Sequence, residues 1–398
     1  MKLTQNARKA VYIGTLCSVA YFAVYIARNA LSAATPKMLE AGYSYEYIGS
    51  VSSLFFVFYA IGQLINGIIG DKIKAKWMIS GGLLFAAISN ALFPYLGDYP
   101  TLAMMIYAFS GFFLSMIYGP MTKVVSENTE PIHAVRCSIG YTFASFFGSP
   151  AAGILASLFI WESVFTLSSV AMAVMAVAVI VCFLFFEKRG YVKYGLYQPK
   201  AKGAGNIKQL FELQIVKFSL VSILTGIVRT SVVFWLPTYI NEYLSYSPTQ
   251  STTIFTVCTF VISFTTFIAV FIYERFGRDM NKTLLLMFVS SAVFFLLTFF
   301  VKLPVLNIVF IVLAIMAANG AATMLWSCYC PSLRDTGMVS SATGFLDFLS
   351  YMAAALANLV FANAVNAIGW GNLILVWFGL VVLGIIVSLP YKKKKNHM

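Results

Sequence analysis

Twelve apolar stretches, each about twenty residues long, follow one another along almost the whole chain. They lie at about 11–34, 49–70, 77–95, 101–122, 137–160, 163–186, 215–240, 251–273, 283–301, 304–327, 338–364 and 368–389. Each is long enough to cross about 30 Å of hydrocarbon. The remaining chain is too short for a separate water-exposed domain. Of the 398 residues, 60% are hydrophobic and only 10% are charged, too few charges to cover a surface in water. In hydrocarbon the backbone must bond to itself, which leaves helices or a closed barrel. A barrel would read as short alternating strands. The expectation is an all-α polytopic membrane protein with 12 transmembrane helices.

The basic start MKLTQNARKA, the apolar run after it and the small-residue stretch ALSAA resemble a cleavable leader. The run is long enough to span, Arg28 interrupts it, and eleven more spans follow. It therefore reads as a retained first helix. The net charge of +13 is explained by where it sits. If the N-terminus is cytoplasmic and the spans alternate, the inside segments hold 23 of the 27 basic residues, from Lys2, Arg8 and Lys9 to Lys392–Lys395. Only Lys37 and Lys302 fall outside. This is the positive-inside rule, and it places both termini in the cytoplasm with no call for a nucleic-acid partner. The two basic residues left over, Arg28 and Arg229, lie within spans. An arginine there costs about 2.5–3.5 kcal/mol on insertion scales, so it marks a function.

A repeat relates the two arginines. Residues 187–213, basic and glycine-bearing, read as a cytoplasmic linker between an N-terminal six-helix half, 1–186, and a C-terminal half with a basic tail, 214–398. Arg28 precedes Pro36 by eight residues, and Arg229 precedes Pro237 by eight. Asp71–Lys72 follows Arg28 by 43 residues, and Glu274–Arg275 follows Arg229 by 45. A parallel six-helix repeat of this kind is the design of major facilitator transporters, in which spans 1 and 7 are symmetry mates flanking a central cavity. Polar residues recur at helical spacing on four spans: Tyr21, Tyr25, Arg28 and Ser32; Tyr59, Gln63 and Asn66; Ser222, Thr225 and Arg229; Asp347, Tyr351 and Asn358. A shared wet cavity would satisfy them where lipid would not.

Paired guanidinium groups at low dielectric call for an anion such as phosphate or carboxylate, which their planar donors grip in bidentate fashion. Asp347, the one acid within a span, has three open readings. It pairs with an arginine, it carries a coupling proton, or it packs helices. Asp71, Lys72, Glu274 and Arg275 are gate candidates at the cytoplasmic ends of spans 2 and 8. The two histidines, His133 and His397, lie in a loop and the tail. No metal cluster, phosphate-binding loop or nucleophile motif appears. The expectation is therefore no enzyme, no cofactor and no metal. The six cysteines lie in spans or at their cytoplasmic ends, so no disulfide is expected.

The stretches Y-x-x-R-N-x-L-S-x-A-x-P from Tyr25 to Pro36, YSYEYIGSVSSLFFVFYAIGQLINGIIGDK, and VRTSVVFWLPTY resemble the organophosphate:phosphate antiporter branch of the major facilitator superfamily. The resemblance implies twelve helices, exchange of a phosphate ester for inorganic phosphate, and Arg28 and Arg229 as phosphate ligands. It matches Tyr21, Tyr25 and Tyr59 with pore-lining tyrosines. Ser145 stands where glycerol-3-phosphate antiporters carry a histidine, Gln63 and Asn29 where they carry lysines, and Asp347 adds a negative charge. These departures leave the organic part of the substrate open. Two alternatives keep the fold: a proton-coupled carrier of an organic or sugar acid, and a membrane sensor of phosphate esters. The expected protein is a monomer in the bacterial inner membrane whose only partners are lipid and a small anion.

Overall fold

A computed structural model of the chain describes residues 5–70, 73–130, 147–194, 207–330 and 339–389, with isolated positions at 133, 136–137, 140–141 and 144–145. All regular structure among the described residues is helical. The spans are α1 (Gln5–Glu40), α2 (Tyr45–Gly70), α3 (Ala75–Leu92), α4 (Pro100–Asn128), a short α5 (Gly148–Leu158) and α6 (Trp161–Lys188). They continue with α7 (Ile215–Glu242), α8 (Pro248–Arg275), α9 (Met280–Phe300), α10 (Pro304–Met324) and α11 (Val339–Ser388). Ten of these helices are long and apolar enough to cross a membrane. α11 holds two of the expected spans, joined at Gly369, whose φ of 73° only glycine adopts freely. α5 is the described end of the fifth. Among the described residues, the expected spans are thus met by ten long apolar helices, one of them covering two spans, and by the shorter α5.

Local chemistry sets the ends. Proline opens α4, α8 and α10, where its missing N–H costs nothing. Ser247 and Gln250 form a capping box at the start of α8. Asp279 caps α9, its carboxylate accepting from the Lys282 N–H at 3.1 Å. That bond, helped by the Lys282 ammonium, holds its carboxyl below the usual aspartate range.

The helices turn apolar stripes outward. Val170, Val174, Val177 and Val181 of α6 are all more than half exposed, while Phe165, Met172 and Phe183 on its other faces are buried. Such a valine stripe suits lipid. Between helices, small residues and single polar groups make the contacts, as expected where no hydrophobic drive joins them. Asn90 of α3 donates to Phe165 O, Ser168 and Ser169 of α6. Asn66 of α2 donates to Ser115 of α4 at 2.7 Å. Lys76 pairs with Glu187 at 2.7 Å across α3 and α6.

Contacts group the chain into two compact units. One holds residues 1–199, 233–263 and 354–366; the other holds 200–232, 264–353 and 367–398. The boundaries fall inside α7, α8 and α11. In the first unit α1 packs against α5 and α6, α2 and α3 against α4, and α5 against the first part of α8. In the second, α9 packs against α10, and α10 against the last part of α8.

Candidate substrate site

Arg28 sits half-buried on α1 within a set of aromatic rings. Its guanidinium carbon lies 4.8 Å from the Tyr59 ring centre, 5.3 Å from Tyr25 and 5.6 Å from Phe56. Ring faces stabilise a cation without neutralising it, and they engage the guanidinium through its plane, whereas anions take its edge. Two of the rings come from α2, one turn apart, so the Phe56–Tyr59 spacing and the α1 stripe together build the cage. Tyr59 is buried and stacks on Phe55. Gln63, one turn further along α2, is half-buried.

The rest of the α1 stripe does different work. Asn29 folds back, its side-chain amide donating to the Tyr25 carbonyl at 2.7 Å. Ser32 donates to the carbonyls of Phe234 at 2.7 Å and Val233 at 3.3 Å. Pro237, having no N–H, leaves the Val233 carbonyl without its helical donor, and the longer of the two Ser32 contacts reaches that carbonyl. Ser32 and Asn66, expected on the wet face, thus bond neighbouring helices. The close approach of α5 to α1 occurs at Gly148, where any Cβ would fall within 2.2 Å of the Tyr25 Cβ. Ser145, just before α5, is buried.

Tyr21 and Tyr25 belong to a larger aromatic group. Tyr21 meets Tyr25 edge-on at 4.9 Å, Tyr118 of α4 at 5.6 Å and Tyr141 at 6.2 Å, and Tyr118 meets Tyr141 at 6.1 Å. Sequence reasoning missed Tyr118 and Tyr141, although Ser115 and Thr122 stand one turn either side of the first and Ser145 stands one turn beyond the second.

Arg229 lies on α7 in the second unit, also half-buried. Among the described residues it makes no hydrogen bond, ion pair or ring contact. Its neighbours on α7 are tied down. Ser222 donates to the Leu346 carbonyl of α11 at 2.7 Å, Thr225 to Val221 O, and Ser231 accepts from the Trp377 indole N–H at 3.1 Å. A Cβ on Gly226 would fall within 2.6 Å of the Ser350 carbonyl. Asp347, half-buried, follows Leu346, so its turn of α11 packs on α7 two turns before Arg229. Tyr351, one turn on, is buried. Asn358 belongs to the first unit, where it donates to Ser52 of α2 at 2.9 Å.

Of the gate candidates, Glu274 and Arg275 end α8 in exposed positions, ahead of a turn with positive φ at Gly277 and Arg278. Asp71 and Lys72 lie outside the described residues. All six cysteines are free thiols, and no cluster of metal-ligating side chains occurs among the described residues.

Residues 17–358 match the family model of the Major Facilitator Superfamily. The chain belongs to this superfamily. Two relatives that match over nearly the whole chain are named as transporters of phosphate esters, and a membrane sensor protein of Escherichia coli is 32% identical over 76 residues, 19% of this chain. A glycerol-3-phosphate transporter of Bacillus subtilis is 21% identical, covering 99% of this chain and 95% of its own length. A phosphoglycerate transporter protein of Salmonella typhimurium is 24% identical, covering 94% and 87%. Among solved structures, a bacterial homologue of the human lysosomal transporter Spinster, in an inward-facing and unoccupied conformation, superposes with a TM-score of 0.73. It covers 96% of each chain at 13% identity, a likeness of fold alone. This superfamily member is a multi-pass membrane protein of the transporter fold.

Proposed function

We propose that this protein is a secondary transporter of an organic phosphate anion, exchanging it for inorganic phosphate by alternating access. The observation that carries the reading is Arg28: a cation retained on a membrane-spanning helix, with three aromatic ring centres within 5.6 Å of its guanidinium carbon and a repeat counterpart in Arg229. In this reading each arginine supplies a guanidinium to the phosphate group, on the strength of their matched places before Pro36 and Pro237. A dianionic phosphate between two guanidinium groups is close to neutral, so substrate binding lowers the electrostatic cost of switching. Tyr21, Tyr25, Tyr59, Gln63, Ser145 and Tyr351 then contact the bound anion or its organic part. Asp347 balances charge when the site is empty, and Asp71, Lys72, Glu274 and Arg275 gate the cytoplasmic side. Organophosphate transport by relatives that match nearly the whole chain supports the same substrate class.

Arg28→Lys and Arg229→Lys each remove the bidentate fork while keeping the charge. Each is expected to abolish organophosphate uptake into phosphate-loaded proteoliposomes, while the purified protein elutes and melts like the wild type. Near-wild-type uptake by either variant would contradict the two-arginine reading. Uptake driven by an imposed pH gradient with no internal phosphate, lost in Asp347→Asn, would favour proton coupling instead.

A further inference from the structure

The exposure of Tyr118 has a direction. On α4 the exposed apolar residues Leu102, Met105 and Phe109 step by three and four and mark one face of the helix; they are 49%, 38% and 44% exposed. Tyr118 is 39% exposed, yet it follows Phe109 by nine residues. Nine residues turn an α-helix through about 180°. Tyr118 is therefore open on the face opposite the lipid-suited stripe. The rings it touches confirm that direction, since they come from Tyr21 of α1 and from Tyr141, both buried. A tyrosine kept only for packing would have its ring covered. This one keeps part of its surface open beside Tyr21 of α1, the helix that carries Tyr25 and Arg28 on its next turns.

We infer that Tyr118 and Tyr141 are specificity-determining residues that recognise the organic part of the substrate, separately from its phosphate. This rests on the transport reading above. The chain of rings runs from Arg28 through Tyr25 and Tyr21 to Tyr118 and Tyr141, with neighbouring centres 4.9–6.2 Å apart. An ester that places its phosphate at Arg28 extends its carbon skeleton along this wall. Tyrosine offers an apolar face and a hydroxyl together. That pairing suits a polyhydroxylated skeleton, a polyol or sugar, whose C–H edges lie on rings while its hydroxyls exchange hydrogen bonds. Inorganic phosphate has no skeleton and makes no use of the wall.

The test separates the two ligands. Tyr118→Phe, Tyr118→Ala and Tyr141→Phe would be reconstituted in phosphate-loaded vesicles. Phosphate self-exchange would be measured first, then its inhibition by glycerol 3-phosphate, 3-phosphoglycerate and glucose 6-phosphate. Self-exchange is expected to stay within about twofold of the wild type. Inhibition by the best phosphoester is expected to weaken by about tenfold in Tyr118→Ala, and by less in the Phe variants, as for the loss of one contact to a substrate group. Unchanged inhibition, or an equal fall in self-exchange and phosphoester inhibition in the Phe variants, would overturn the inference and leave the transport reading intact. Absence of phosphate self-exchange in the wild type would overturn the transport reading, and this inference with it.

Discussion

Arg28 and Arg229 occupy matched places in the two halves of the sequence, eight residues before a helix-interior proline, yet their surroundings differ. Around Arg28 the neighbouring helix supplies rings, and three of them lie within 5.6 Å of the guanidinium carbon. Around Arg229 the neighbouring turns supply small residues: Ser222 and Ser231 bond α11, Gly226 lets α11 approach, and Thr225 bonds its own helix. The repeat has kept the charge and its depth along the helix but not its setting. Rings packed around a guanidinium restrict the arginine rotamer before any ligand arrives. In the transport reading, the rings preorganise Arg28 for an incoming phosphate.

The contrast is open to attack at the rings. Tyr59→Ala removes the nearest of them, and a desolvated cation–π contact is worth about 1–2 kcal/mol, so transport is expected to fall roughly 5- to 30-fold. Tyr59→Phe keeps the ring face and should retain most transport in the same uptake assay. If both variants fall equally, the hydroxyl matters rather than the ring, and the cage loses its role. No single aromatic substitution around Arg229 should have a comparable effect.

A smaller effect is expected where each proline breaks its helix. Ser32→Ala removes the hydroxyl that bonds the Phe234 carbonyl and reaches the Val233 carbonyl left without a donor by Pro237, at a cost of about 1–2 kcal/mol. The thermal unfolding midpoint of the detergent-solubilised protein should drop, while Ser32→Thr, which keeps the hydroxyl, should recover most of it. An unchanged midpoint in Ser32→Ala would show that water or another donor serves that carbonyl equally well.

The smallest effect is expected away from both arginines, at the α9 cap. Asp279→Ala should cost about 1 kcal/mol or less, and Asp279→Asn, itself a good cap, less again. Because the folded-state carboxyl titrates below its ordinary 3.8, the ionised cap contributes fully above that value. Its contribution disappears as pH falls through the depressed folded value. Melting curves at pH 7 and in acid should therefore separate wild type from Asp279→Ala at the higher pH and bring them together at the lower.

Much of this was legible in the sequence. The spans were legible because each must be apolar for its whole length, and the arginines because charge in a span is costly. The ring cage was half legible: Tyr25 and Tyr59 stand on the predicted stripes, whereas Phe56 looks like any other phenylalanine. The stripes misled at Ser32, Asn66, Ser222 and Asn358. Helical spacing says which residues share a face but not whether water or another helix meets it, and in all four a helix does. Tyr118 carried a readable signal after all, its half-turn offset from the exposed residues of α4, but only once those residues are known to face outward. The break between the last two spans, read at 364–368, lies close to the joint at Gly369, and only the form of the joint was hidden. A single glycine between apolar spans does not announce whether the helix stops or turns.

The most direct measurement is phosphate self-exchange. Purified wild-type protein would be placed in vesicles loaded with phosphate or left without it, and uptake of labelled phosphate followed with no ion gradient imposed. Exchange for phosphate predicts rapid uptake into loaded vesicles, inhibited by a phosphoester, and almost none into empty ones. Equal uptake into both, or none into either from protein that remains folded, would contradict it.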